Sequence, residues 1–268
     1  MPLQVLGAEM RLALGVEYDG SDFCGWQRQS GTRTVQGCVE KALSQVADHE
    51  LGVVCAGRTD AGVHATGQVV HFDTDAVRDQ KGWIRGTNAN LPPDVRVHWV
   101  TETDDDFHAR FAARRRYYRY VIHNQPTVMS LLRKRVCWDY AQLDEGSMAI
   151  AAASLVGEHD FTSFRAVACQ AHSPVRTIYR LDVVRHGNFI YIDIVANAFL
   201  HHMVRCIAGV LMTIGHGDRC SDWIPELLAA KDRALAGMTA PAAGLYLVNV
   251  QYPEHPGIPA GGWLPVYG

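Results

Sequence analysis

Apolar residues recur along this chain with two different periods, and the alternation between them lays out the elements. Arg11–Tyr18 alternates with period two and runs into Asp19-Gly20, which predicts a strand followed by a turn. Val35, Cys38, Val39, Ala42, Leu43 and Val46 follow the 3.6-residue period, which predicts an amphipathic helix over Thr34–Ala47 with Thr34 as its cap. Val53–Ala56 and Gln68–Phe72 read as strands on either side of a glycine-containing loop, Asn90–Asp94 as a loop, and Arg96–Thr101 as a further strand. Beyond them come a strand over Tyr117–Ile122 and a helix over Leu143–Val156. A hairpin follows, Arg176–Arg185 and Phe189–Asn197 around His186-Gly187-Asn188, then a strongly periodic helix over Phe199–Ile214. A short helix over Asp222–Ala230 and a closing strand over Tyr246–Val250 complete the set.

Strands mixed with helices able to cover one sheet face make an α+β protein of two halves. The acidic stretch Glu102–Asp106 marks the expected division, giving an N-terminal half over 1–106 and a C-terminal half over 107–252. Residues 253–268 are rich in proline and glycine and read as an irregular tail.

Composition is that of an ordinary globular chain, 48% apolar and 20% charged over 268 residues. No apolar run reaches the roughly 18 residues of a membrane span, and Met1–Met10 has no basic residue before its short apolar stretch, so neither a membrane nor a signal peptide is expected. The expected location is cytoplasmic. Seven scattered cysteines without a C-x-x-C pair fit reduced thiols. Among thirteen histidines, His201-His202 is the most tempting metal pair. Adjacent helical residues point about 100° apart, however, so the two make no chelate of the i, i+4 kind, and no metal is expected.

A net charge of −3 looks unfavourable for a nucleic-acid partner until its distribution is considered. From Phe107 to Arg135 there are seven Arg, one Lys and no acidic residue, a segment of +8 against −11 for the remainder. Arginine suits planar contacts to phosphate, although a solvated basic face would look the same.

The most informative stretch is Ala56-Gly-Arg-Thr-Asp-Ala-Gly-Val-His-Ala65. Its glycines allow tight backbone, and a cation two residues before Asp60 favours the ionised carboxylate that a nucleophile or base needs. A turn stapled by Arg58 and Asp60 is the plain alternative. A metal site or hydrolase dyad from Asp60 and His64 would need a helix that Gly57 and Gly62 oppose, and the ending of a phosphate-binding P-loop is missing. Tyr117-Tyr-Arg-Tyr120 follows three arginines, a pattern suited to stacking on bases, or simply to a half-buried strand. In the helix over Phe199–Ile214, His201, His202 and Arg205 lie together beside the apolar stripe.

Taken together, these motifs resemble the tRNA pseudouridine synthase A family. The matching stretches are Y-D-G-x-x-F-x-G-W-Q-x-Q (18–29), A-G-R-T-D-A-G-V-H-A (56–65), G-Q-V-V-H-F (67–72), N-x-N-L-P (88–92) and F-H-A-R-F (107–111). They continue with Y-R-Y (118–120), D-F-T-S-F (160–164), N-A-F-L-H-H-M-V-R (197–205) and G-L-Y-L (244–247). The resemblance implies two pseudo-twofold-related α+β halves, antiparallel or mixed sheets meeting under a basic cleft, helices on the outer faces, a homodimer, and no cofactor. It implies conversion of uridine to pseudouridine in the tRNA anticodon stem-loop, at tRNA positions 38, 39 and 40, on a flipped-out base. Asp60 is then the catalytic nucleophile. Arg58 assists the flipped nucleotide, Tyr118 contacts the base, Arg205 pairs with the catalytic carboxylate, and Leu245 packs under the base. Arg78, the segment Phe107, His108, Ala109, Arg110 and Phe111, and the loop at Cys169 and Gln170 are implied tRNA contacts. Cys206 departs from the Asn expected after Arg205. The competing class is a non-catalytic RNA-binding protein on the same fold, for which the basic segment alone would suffice.

Overall fold

A computed structural model describes residues 9–259 and 261–267. The reading of Met1–Met10 as lacking a signal peptide therefore falls almost entirely outside the described residues, as do positions 260 and 268 of the tail. The chain divides into two compact units, Met1–Arg114 with Val248–Trp263, and Arg115–Leu247 with Leu264–Gly268. The division thus falls at Arg114/Arg115, eight residues beyond the expected 106/107, because Phe107 and Ala109 are wholly buried in the first unit. Two bonds hold them there: Arg11 donates to the Phe107 carbonyl at 3.0 Å, and the Tyr252 hydroxyl to the Ala109 carbonyl at 2.6 Å.

In the first unit, β1 (Met10–Tyr18) is followed by α1 (Val35–Ala47), β2 (Val54–Cys55), β3 (His64–Thr74), α2 (Gln80–Asn90) and β4 (Val95–Thr103). The strand order is β4-β1-β3, antiparallel throughout, with β2 added to β3. The helix α1 forms as its periodicity dictates: Thr34 caps it by accepting from the Gly37 N–H, and Val35, Val39, Ala42 and Leu43 are buried. Strand β3 is longer than the expected Gln68–Phe72, since β1 pairs with it from Ala65 to Thr74.

The helix α2 has no counterpart in the sequence expectation. Two glycines and only two buried side chains, Trp83 and Thr87, leave it almost without a periodic signal. Trp83, edge-on to Phe72 at 5.4 Å, anchors it together with polar contacts. Asp79 caps it at the Gly82 N–H, and Asn88 bonds both the N–H and the carbonyl of Val97 at 2.8 Å. The first asparagine of the N-x-N-L-P motif is therefore a clamp between α2 and β4.

The second unit contains β5 (Arg115–Asn124), β6 (Cys137–Asp139), α3 (Glu145–Ala153), β7 (Gly157–Asp160), β8 (Val175–His186) and β9 (Phe189–Ala196). After these come α4 (Met203–Gly215), α5 (Trp223–Ala230) and β10 (Leu245–Gln251), whose residues from Val248 onward count with the first unit. The order β5-β9-β8-β7 is antiparallel, and β6 lies parallel to β5, so the sheet is mixed and the protein α+β as expected. Tyr118, Tyr120 and Ile122 face the same way, opposite Ile194, Ile192 and Ile190, while Tyr117 and Arg119 take the other face.

Two helix starts were expected too early. Asp144 caps α3 by accepting from the Gly146 and Ser147 N–H groups, so Leu143 lies outside it. Helix α4 starts at Met203, not Phe199, because His202 is left-handed at φ 63° and the Asn197 side chain accepts from the Thr177 and Ala198 N–H groups, turning the chain as it leaves β9. The tail has no helix or strand among its described residues, yet it is anchored. In the first unit Trp263 donates to Glu17 at 3.2 Å; in the second Arg119 donates to the Pro265 carbonyl at 3.2 Å and Tyr191 to the Tyr267 carbonyl at 2.7 Å.

Candidate active site

Asp60 opens a tight turn. The Val63 N–H closes onto the Asp60 carbonyl at 3.1 Å, and Gly62 supplies the positive φ of 78° that the third position of such a turn requires. The segment Tyr18–Trp26 wraps this turn. The Trp26 N–H donates to the Thr59 carbonyl at 3.0 Å, and a Cβ on Gly25 would stand 2.8 Å from that carbonyl, so the chain can pass there only as glycine. The motifs at 18–29 and 56–65 are thus one folded object. Arg58 is exposed and Asp60 half-buried, while Thr59 between them is buried.

Several groups beneath the turn are ionisable. His64 is the first residue of β3 and its ring is buried. Its Nδ1 lies 3.0 Å from the Gly20 nitrogen and 3.2 Å from Asp19 Oδ1, accepting from the first when the proton is on Nε2 and donating to the second when it is on Nδ1. Burial pushes the Asp19 carboxyl up, but hydrogen bonds from His64 and Ser21 outweigh it and hold the group well below the usual carboxylate range. The helical spacing that a metal or hydrolase pair of Asp60 and His64 requires is absent, since one opens a turn and the other a strand. Burial raises the Cys55 thiol to about 11 against the pull of Arg58 and Arg110, which are both within electrostatic reach of it.

The F-H-A-R-F segment divides by burial. Phe107 and Ala109 belong to the core, so their side chains hold the segment in place and are not available to a ligand. Arg110 is exposed, Phe111 is 70% exposed, and the two form a cation–π pair at 5.6 Å. Next to Phe111 two further rings are in tilted contact, His108 at 4.2 Å from it and His71 at 4.8 Å from His108. Both histidines act as acceptors: His71 Nδ1 takes the Ala109 N–H at 3.1 Å, and His108 Nδ1 the Arg110 and Phe111 N–H groups at 3.2 Å. Burial lowers His71 to about 4 and lowers His108 as well, so both rings are neutral at ordinary pH. Arg78 is exposed immediately before α2.

In the second unit Tyr118 is buried on β5, edge-on to Phe199 at 5.0 Å. Arg205 sits in the first turn of α4 and exchanges bonds with Ala240: its Nε donates to the Ala240 carbonyl at 2.9 Å, and its own carbonyl accepts the Ala240 N–H at 3.0 Å. Cys206, beside it, is buried with its sulfur 3.6 Å from the Thr239 hydroxyl. Leu245 is buried at the start of β10. The loop carrying half-buried Cys169 and exposed Gln170 turns on the Cys169 N–H bond to Ala166, and Ala166 is tied to the His201 carbonyl.

The basic segment is not one uniform face. Arg119 is buried and bidentate to Asp193 at 2.7 Å, Arg114 pairs with Glu254 at 3.0 Å, and Arg116 donates to the Asn197 carbonyl. Arg115 is exposed over the Tyr179 ring at 4.6 Å. Burial, with Asp193 nearby, raises the Tyr117 hydroxyl to about 12. His201 and His202 precede α4, with ring centroids 4.0 Å apart, so the helical argument about their directions does not apply. In the first unit Asp104, Asp106 and His255 each bring one ligand-type atom within 4.8 Å of the others, on a largely exposed surface where carboxylates commonly gather without an ion.

A family model described as tRNA pseudouridine synthase matches residues 15–112 and 151–253. The chain belongs to that family, which makes it an isomerase acting on uridine in tRNA. It is 56% identical over 252 residues to tRNA pseudouridine synthase A of Pectobacterium atrosepticum, covering 94% of this chain and 89% of that one. The protein of the same name from Alcanivorax borkumensis is 55% identical over 260 residues, covering 95% and 97% of the two chains. That of Vibrio cholerae is 55% identical over 250 residues, covering 93% and 95%. No helix among the described residues is long and apolar enough to cross a membrane.

Proposed function

We propose that this protein converts uridine to pseudouridine in the anticodon stem-loop of tRNA, at tRNA positions 38, 39 and 40, with Asp60 as nucleophile and no metal. The observation that carries the reading is the turn itself, which is held through buried Thr59 while Arg58 on one side of it is exposed and Asp60 on the other is half-buried. A nucleophile must combine a fixed backbone with an accessible oxygen.

The reaction balances without a co-reactant. The Asp60 carboxylate attacks the ribose C1′ as the N1–C1′ bond breaks, and the freed uracil turns within the pocket. C5 then bonds to C1′ as the carboxylate leaves; a proton departs from C5 and one is gained at N1. Tyr118 contacts the base and handles a proton, Leu245 packs beneath the ring, and Arg205 is the arginine that pairs with the catalytic carboxylate. A base within a stem must first be flipped out, at a cost of a few kcal/mol, and Arg58 holds the extruded nucleotide. Arg78, Arg110, Phe111 and the loop at Cys169 and Gln170 make the further RNA contacts, and two copies of the chain act as a homodimer in the cytoplasm. The test is to map pseudouridine in tRNA from a strain lacking this protein. Loss confined to positions 38–40, restored by the wild-type chain, is the expected result; unchanged modification there overturns the reading.

A further inference from the structure

Gln68 is fully buried in a strand whose neighbours are mostly apolar, and its side chain is spent on the turn that carries Asp60. Strand β2 pairs with β3 at Val54 and Cys55, and the Ala56 N–H still reaches the Val69 carbonyl at 2.8 Å. At Gly57 the chain leaves the sheet, and there the Gln68 amide takes over from the backbone ladder. Its Nε2 donates to the Gly57 carbonyl at 2.6 Å, and its Oε1 accepts the Gly57 N–H at 3.4 Å. The same Nε2 lies 3.5 Å from the Tyr18 hydroxyl, a long contact, and that hydroxyl is 2.7 Å from Thr59 Oγ1. Tyr18 and Thr59 are themselves buried.

Gly57, held by Gln68, and Thr59, held by Tyr18, flank Arg58, and Thr59 directly precedes Asp60, so the two clamps fix the backbone from which both side chains leave. Neither clamp touches the reacting groups; each sets where those groups emerge. We infer that Gln68 and Tyr18 are positioning residues for Asp60 and Arg58, acting through Gly57 and Thr59, and the inference rests on Asp60 being the nucleophile.

Two isosteric variants test it, with single-turnover rate on saturating tRNA, tRNA affinity and melting temperature read together. Tyr18→Phe removes only the hydroxyl that holds Thr59. A displacement of about 1 Å at a reacting group costs on the order of 100-fold in rate, so the rate should fall roughly 10- to 100-fold with affinity within a few fold of wild type. Gln68→Glu keeps the shape but, when ionised, offers no donor to the Gly57 carbonyl; protonated, it again donates through one oxygen and accepts through the other. Burial favours the protonated acid. Its rate relative to wild type should therefore be low at pH 8 and recover as pH falls to 6, a dependence that a mere loss of packing does not produce. Thr59→Val should reproduce Tyr18→Phe, and Thr59→Ser should rescue that loss. Wild-type rates in both Tyr18→Phe and Gln68→Glu at pH 8 overturn the inference, and so does a Gln68→Glu deficit that ignores pH. If Gln68→Glu does not fold at pH 8, Tyr18→Phe decides alone. Asp60→Asn in the same assay keeps the two readings apart. Turnover in that variant removes the nucleophile assignment itself, whereas a dead Asp60→Asn beside fully active clamp variants removes only the positioning role.

Discussion

Acidification should loosen the F-H-A-R-F segment through one buried imidazole. His71 Nδ1 accepts the Ala109 N–H, so the folded state needs this ring neutral, and burial lowers it from the usual 6.5 to about 4. The unfolded chain therefore binds a proton that the folded one refuses, and stability is full above pH 6.5 and lost as pH falls toward 4. A difference of about 2.5 pH units corresponds to about 3 kcal/mol at the limit, of which about 2 kcal/mol is gone by pH 5. His71→Asn is the informative control, since its amide oxygen can accept the same N–H and does not titrate. Urea unfolding at pH 8, 7, 6 and 5 should show wild type losing about 2 kcal/mol relative to His71→Asn across that range. Asp19 and Asp73 are lowered groups as well, but carboxylates of this kind lose their contribution below about pH 4, and His108 and His123, which burial also lowers, are present in both proteins, so the wild-type-minus-variant difference reports on His71. A wild-type-minus-variant difference that stays constant from pH 8 to 5 would refute the reasoning.

Other consequences follow from single contacts. Asp193→Asn strips the buried Arg119 of its bidentate partner and should destabilise the protein by about 3–5 kcal/mol, measured by urea denaturation; a loss under about 1 kcal/mol would mean the pair is effectively solvated. Tyr118→Phe should bind tRNA within a few fold of wild type yet turn over far more slowly, and full activity would reduce Tyr118 to a stacking surface. Replacing Arg114, Arg115 and Arg116 by Ala should flatten the slope of log K against log salt by at least one phosphate contact, roughly 0.7 to 0.9. An unchanged slope would assign all three to structure.

How much of this could be read from the chain depended on whether a residue's neighbours are near in sequence. Helix α1 and the β8–β9 hairpin were legible because their signals are local: a cap with a 3.6-residue stripe, and alternation on both sides of a glycine turn. Helix α2 was not, since one large buried side chain, Trp83, and bonds from the Asp79 and Asn88 side chains to the backbone hold it where a periodic apolar face would ordinarily do so. The early start expected for α4 has the same origin, because periodicity continues through Phe199 while Asn197 and the left-handed His202 turn the backbone. In the site, Asp60 and Arg58 stood out by residue type and glycine spacing. The roles of Tyr18 and Gln68 depend on contacts 41 and 11 residues away in sequence. Gln68 nonetheless carried a signal, as a polar amide inside the apolar run G-Q-V-V-H-F. The basic segment misled in one respect: Arg119 counts toward its charge but is neutralised inside the protein by Asp193.

The central claim is that Asp60 is the nucleophile, and one substitution tests it most directly. Asn has the shape of Asp without an anionic oxygen, so Asp60→Asn should fold, associate and bind tRNA as wild type does. It should also release no tritium from tRNA labelled at uracil C5. General-base roles typically contribute about 10²–10⁴-fold, so residual turnover within that range would make Asp60 a helper. Tritium release at the wild-type rate would contradict the account outright.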